Sequence, residues 1–201
     1  MSFDAGVRFF SLLALVAGSG SVILLVLRLV PPARAVLDAM CDVAVWLAWL
    51  VAGVAMAGSL WFSESQNLVP CTLCWYQRIA MFSLAVILLV GALRRDPAVR
   101  WYAVPLAAIG LAISTYHYLL EWNPQWEGTS CDIAAPCSTP YFREFDFISL
   151  SLMALCGFAA ILALLLLLLV PSRRPVGGDP SPTDDVAADR RDGTLEHDAQ
   201  R

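Results

Sequence analysis

Two cysteines stand two residues apart in VPCTLCWYQRIAMF, Val69 to Phe82, directly ahead of an apolar run. At this spacing Cys71 and Cys74 can close a reversible disulfide, one thiolate attacking and the other resolving. If Cys74 caps or opens the helix that follows, the free amide N–H groups and the helix dipole stabilise its thiolate. Arg78 lies four residues after Cys74, one turn deeper on the same helix face. An arginine is costly at that depth unless it has a partner or a task, and holding negative charge on a bound acceptor is such a task. A second pair, Cys131 and Cys137, lies in TSCDIAAPCSTP, where Pro136 and Pro140 prevent a continuous helix. A loop dithiol can reach both a soluble partner and a membrane-embedded pair; the bland reading is a static disulfide pinning the loop. The four cysteines also match zinc's demand for four ligands, so a metal-binding protein stands as an alternative to redox exchange. His117, in STYHYLLEW, has a depth like that of Arg78, so the two can flank one slot between helices. It can donate to a carbonyl oxygen or shuttle a proton, or simply satisfy the last carbonyls of its helix.

These residues need a membrane to position them. The chain has 201 residues, 59% hydrophobic and 15% charged, against about 45–50% and about 25% for a soluble domain. A span needs roughly 20 predominantly apolar residues. Five runs qualify, at about Phe9–Val30, Val43–Phe62, Trp75–Leu93, Trp101–Leu120 and Ile148–Val170. Arginine-rich flanks stay in the cytoplasm. Arg28, Arg34, Arg94, Arg95, Arg100, Arg173 and Arg174 fall on one side if the five helices alternate. Arg8, Arg78 and Arg143 fall on the other. This parity predicts a multi-pass cell-membrane protein with its N-terminus outside and its C-terminus in the cytoplasm. Both cysteine pairs then face the oxidising, extracytoplasmic compartment, where disulfides persist.

Ala33–Ala35 resembles a signal-peptide cleavage site. The preceding run is longer than an ordinary signal core, however, and cleavage would invert every later helix, so an uncleaved span is expected. Cys41 and Cys156 read as small buried apolar residues. Trp122 and Trp126 fit an interfacial aromatic belt. Arg143, Glu144 and Asp146 are expected to be solvated, on a short surface helix. The tail from Pro171 to Arg201 reads as disordered, and no role is assigned to His197 within it. No basic stripe suggests nucleic acid. No haem-attachment motif is present, since Trp75 follows Cys74.

PCTLCWYQR resembles the C-x-x-C-x-x-x-R signature of the DsbB/BdbC disulfide bond formation proteins, and the order of spans and pairs from about Val43 to Val170 is similar. The short C-x5-C loop and FISLSLMAL are more similar to the BdbC branch. The resemblance implies an all-α membrane protein: a four-helix transmembrane bundle over residues 43–170. An additional N-terminal transmembrane helix and linker occupy residues 1–42, and a disordered cytoplasmic tail occupies 171–201. It implies a thiol:quinone oxidoreductase that reoxidises a DsbA/BdbD-like thioredoxin-fold protein and passes electrons to the membrane pool of menaquinone or ubiquinone. By the same resemblance Cys71 and Cys74 are the quinone-linked pair, Cys74 contacts quinone, and Arg78 and His117 belong to the quinone site. Cys131 would meet the partner and Cys137 would exchange with Cys71. A vitamin K epoxide reductase-like enzyme is the nearest enzymatic rival, but it is expected to carry the loop pair before the C-x-x-C. A subunit with two inert disulfides is a further alternative.

Overall fold

The protein, described from a computed structural model, is an all-α membrane protein with five helices long and apolar enough to cross a bilayer. The structure describes residues 2–30, 34–128, 131 and 135–167, without the side chains of 34–42 and 97. The chain divides into two units, Met1–Val170 and Pro171–Arg201. The predicted disordered tail, His197 and the last residues of the fifth predicted span lie outside the described residues, as does the Cys41 side chain.

The helices are α1 (Phe3–Leu29), α2 (Arg34–Leu60), α3 (Thr72–Arg94), α4 (Arg100–Trp122) and α5 (Leu150–Leu167). Helix α2 runs on into a π-helical turn, Trp61–Ser65. The first three helices begin earlier than the apolar runs alone predict. Their first turns carry polar residues that hydropathy rejects but backbone hydrogen bonding accepts. Helix α3 stops where Arg95 takes a left-handed conformation (φ 51°). The Asp96 N–H then returns to the Gly91 carbonyl at 3.0 Å, which satisfies a terminal acceptor.

Helices α2, α3, α4 and α5 close a ring in which each packs on its two neighbours, and α1 docks mainly on α5 and only lightly on α2. The ring interior is lined by small residues, among them Ala48, Ala52, Ala80, Ala85, Ala103 and Ala107. Small residues let helix backbones approach, which matters where lipid competes equally for large aliphatic groups. Gly110 shows the limit: a Cβ there would stand 2.3 Å from the ring of Phe158. Larger side chains, Leu84, Leu88, Phe158, Ile161 and Leu165, fill the interior between them, and many others point outward. Leu12, Val22, Leu29, Val86, Leu93 and Ile109 are all exposed, a surface suited to hydrocarbon and not to water. Two buried hydroxyls return to their own helix: Ser21 donates to the Gly18 carbonyl at 2.6 Å and Ser114 to that of Gly110 at 2.8 Å. Such backbonding satisfies a hydroxyl where no water is at hand.

The loop between α4 and α5 departs from expectation. Residues 143–146 form no surface helix; Glu144 bridges to Ile148 around a turn in which Phe145 and Asp146 have positive φ. The charges there are not merely solvated. Arg143 donates to the Glu121 carbonyl at 2.9 Å and lies over the Trp122 ring, and Glu144 pairs with Arg8 of α1 at 3.3 Å. The tight α4–α5 contact makes Gly110→Val destabilising by about 1–3 kcal/mol, the usual cost of overpacking. Gly20→Ala, at a position with nothing within 4 Å, leaves stability unchanged or raised; thermal unfolding of the two purified variants in detergent makes the comparison.

Candidate redox site

Pro70 and an extended Cys71 (φ −69°, ψ 170°) precede the first turn of α3, so Cys71 is the N-cap. Its Sγ accepts the Cys74 backbone N–H at 3.3 Å. This revises the expectation for the thiolate: the residue that caps the helix and meets its dipole is Cys71, and Cys74 sits within the first turn. The two sulfurs are 2.7 Å apart, and both thiols are free. The pKa of Cys71 is lowered to about 5, first by the hydrogen bond from the Cys74 thiol, against burial, which raises it; His117 lowers it further.

The loop brings the second pair onto the first. Cys131 and Cys137 form a disulfide. Cys137 is buried, and it shares a cluster with Cys71 and Leu120. Cys131 is half-buried. Glu127 anchors this turn: its carboxylate accepts the Cys137 N–H at 2.6 Å and both the N–H and the hydroxyl of Ser138. The Ser138 hydroxyl chiefly, with those amides, holds the Glu127 carboxyl below the usual range.

His117 joins the two pairs. Its Nε2 lies 3.1 Å from the Cys137 carbonyl oxygen and 3.7 Å from Cys71 Sγ. A carbonyl only accepts, so Nε2 carries the proton. Nδ1 is then the acceptor for the Gln77 amide at 3.2 Å. The structure does not bring His117 and Arg78 to one slot. His117 faces Cys71 and the Cys137 turn, and Arg78 lines a cavity that Cys74 also touches.

That cavity has a volume of about 400 Å³ and is bounded by α1, α2, α3 and α5. Its lining on α2 and the π-helical turn that continues it runs from Leu50 to Ser63, about 20 Å at about 1.5 Å per residue. One end is polar, with Cys74, Gln77, Arg78, Ser63 and Tyr141; Ser59 adds a hydroxyl one turn deeper, and the rest is apolar. Arg78 donates to Ser63 Oγ at 3.0 Å and stacks near Trp75 and Phe82. Its buried Nε has no hydrogen-bond partner, and among the described residues no carboxylate pairs with it. The π-helical turn at Trp61–Ser65 is what delivers Ser63 to it; such turns recur at functional sites. Burial raises the Tyr141 phenol, which donates to the Val69 carbonyl.

Gln77, Ser63, Glu127 and Glu121 are site residues that the pattern of cysteines did not reveal. Glu121 is buried with one oxygen accepting from Ser151 at 2.5 Å and the other unpartnered. The available signal was their polarity within or beside apolar runs, where a polar group needs a partner. Trp122 and Trp126 are exposed, in keeping with an interfacial belt, and Cys156 is half-buried against Gly18 of α1. The four cysteines do not gather as one ligand set among the described residues. Groups whose ligand atoms lie within 4.8 Å are Cys71, Cys74 and His117, and separately Glu127, Cys131 and Cys137.

The arrangement places the loop pair where, as a dithiol, it can hand an electron pair to a Cys71–Cys74 disulfide beside a largely apolar cavity. Comparison with known proteins agrees. The family model described as "Disulfide bond formation protein DsbB" matches residues 42–170. Disulfide bond formation protein C of Bacillus subtilis (strain 168) is 42% identical over 124 residues, which is 61% of this chain and 90% of that protein. Probable disulfide formation protein C 2 of Bacillus anthracis is 44% identical over 119 residues, 59% of this chain and 85% of that protein. A probable disulfide formation protein of Deinococcus radiodurans is 42% identical over 133 residues, 62% of this chain and 87% of that protein. No solved structure matches.

The Cys71 environment generates a pH prediction. With its pKa lowered, the reduced pair holds one thiolate at neutral pH and loses it only as pH falls through about 5. Thiolate absorbance should follow that course in a chain whose other four cysteines are replaced by alanine. His117→Ala removes a stabilising donor and moves the midpoint upward. A first midpoint near the free-thiol value of about 8.5 in the parent would contradict this account of Cys71.

Proposed function

Because the chain belongs to the DsbB family of disulfide bond formation proteins, we propose that it is a membrane protein-disulfide:quinone oxidoreductase. It reoxidises a secreted thioredoxin-fold oxidase of the DsbA/BdbD type and passes the electrons to menaquinone or ubiquinone. The observation that carries this reading is the cavity in which Cys74 and an unpaired Arg78 share the polar end of a long apolar slot. A redox carrier with carbonyl oxygens on its ring and an apolar tail fits that distribution of groups. The unpartnered Arg78 Nε is a donor in want of an acceptor.

The chain's own chemistry follows the burial of its sulfurs. A partner thiolate attacks the accessible Cys131, opening the loop disulfide and releasing Cys137 as a thiolate. The second partner thiol resolves that mixed disulfide, so the partner leaves oxidised and the loop holds two thiols. Cys137, packed beside Cys71, attacks the Cys71 sulfur of an oxidised Cys71–Cys74 pair, and Cys74 leaves as a thiolate. Cys131 then attacks Cys137, restoring the loop disulfide and releasing Cys71. Its lowered pKa makes Cys71 a good leaving group, since exchange is faster when the departing thiol is more acidic. His117 holds the Cys137 turn through its carbonyl and shares the same proton with the Cys71 sulfur. The product is a closed loop disulfide with Cys71 and Cys74 free, the arrangement of sulfurs described above. A quinone bound at the polar end supplies the sink for two electrons and two protons as Cys71 and Cys74 rejoin. Arg78 and Ser63 would hold it there, with Arg78 favouring negative charge on oxygen.

The arginines near the opposite end, Arg28, Arg94, Arg95 and Arg100, support an extracytoplasmic side for the cysteine end. Turnover of purified protein with a quinone and a reduced thioredoxin-fold oxidase tests the whole reading. Cys74→Ser should abolish quinone reduction. Arg78→Ala should raise the KM for quinone by about tenfold or more, with a smaller change in kcat. Retention of quinone reduction in Cys74→Ser, or an unaltered KM in Arg78→Ala, rejects the assigned role.

A further inference from the structure

We propose that α1 is a working wall of the acceptor cavity: it closes the slot toward lipid, and Ala14 and Ala17 make room for the apolar part of the bound quinone. The proposal rests on the quinone reading above and concerns a helix outside the residues matched by the family. Phe10, Leu13, Ala14 and Ala17 line the cavity, and Val16, itself exposed, borders it where it meets the lipid side. The first four recur at i, i+3, i+4 and i+7, the spacing of one helix face. The opposite face, with Leu12, Val22 and Ile23, is exposed. One side of α1 therefore meets lipid and the other meets the slot.

The helix is anchored along its length. At the cysteine end Arg8 pairs with Glu144, and Phe3 meets the Phe142 ring edge-on at 5.9 Å between centroids. Phe10 packs against Trp61 and Phe62, with ring centroids 6.0 and 5.6 Å away. It fits there because residue 58 is glycine, whose Cβ would otherwise stand 2.8 Å from the Phe10 ring. Midway, Gly18 admits Cys156 of α5. At the far end Arg28 donates to the Leu166 carbonyl of α5. Between these anchors α1 packs on α5 and only lightly on α2. The space left beside α2 is the cavity, and the short side chains of Ala14 and Ala17 enlarge it. Cys74 and Arg78 hold its polar end, so the stretch beside Ala17 falls to the apolar part of the ligand.

The experiment uses the full chain, purified in detergent. An azido-benzoquinone carrying a short prenyl tail is photolysed in the protein, and labelled peptides are mapped by mass spectrometry. Equilibrium binding of the tailed quinone is read by quenching of tryptophan fluorescence. Label on α1 around Leu13–Ala17 is expected. Ala14→Phe and Ala17→Phe should each weaken binding about tenfold or more, and Leu12→Phe, on the lipid face, should leave it unchanged. Partner-dependent reduction of Cys131–Cys137, which does not involve the cavity, should persist in all three. Should either phenylalanine variant not fold, Ala14→Leu and Ala17→Leu are judged by the same loss of affinity. Label confined to α3 and α5, or binding undiminished in the filled variants, overturns the role of α1 and leaves the quinone reading standing. Neither label nor quenching in the parent overturns both.

Discussion

The sulfur of Cys71 is the atom on which the other features converge. It ends a chain segment that Pro70 holds extended, begins α3, and accepts the Cys74 N–H at 3.3 Å. An anion in this setting is tolerable because every donor around it is already in place: a helix N-terminus, the neighbouring thiol and the His117 ring. The same capping contact sets the phase of α3. Cys74 enters the first turn, Arg78 follows one turn deeper, and Gln77 turns toward His117. Were the helix to start one residue later, each of these side chains would rotate by about 100°, and neither the relay nor the cavity would keep its lining.

The second constraint is the gradient of polarity across Cys74. On one side lie the loop disulfide, Glu127 and the buried histidine; on the other lies a slot that is apolar but for its outer end and the Ser59 hydroxyl. An unpaired guanidinium at that end is expensive in low dielectric. The cost is met in part by Ser63 and by the aromatic faces of Trp75 and Phe82. What remains unsatisfied is a preference for negative charge, which is what the proposed acceptor role of this cavity requires. A dithiol trading only with other thiols has no need of such a site.

Lipid as solvent explains the packing around this centre. Alanine and glycine occupy the closest helix contacts, Leu84, Leu88, Ile161 and Leu165 fill the interior between them, and further leucine, isoleucine and valine side chains face outward. The additional helix obeys the same rule and adds one feature of its own, a face of small residues turned toward unfilled space. Its anchors at Glu144, Phe62, Cys156 and Leu166 belong to the loop, α2 and α5, so its placement depends on the ring having formed.

The sequence alone determined the spans, the two dithiols, the proximity of Arg78 to Cys74 and the family resemblance, because each is encoded within one turn or one apolar run. It also indicated that α3 starts near the cysteines, but not which of them caps it, since one residue of extended backbone decides that. Tertiary structure decided that His117 faces Cys71 and Cys137 and not Arg78. Depth along a helix is readable from hydropathy, whereas rotation about its axis depends on which neighbours pack against it. It decided that Arg143 and Glu144 are partnered instead of forming a surface helix, because their partners, Glu121, Trp122 and Arg8, are remote in the chain or on another helix. It decided, too, that α1 lines the slot. A uniformly apolar helix carries little information about which face meets lipid, and only the bundle it docks on breaks that degeneracy.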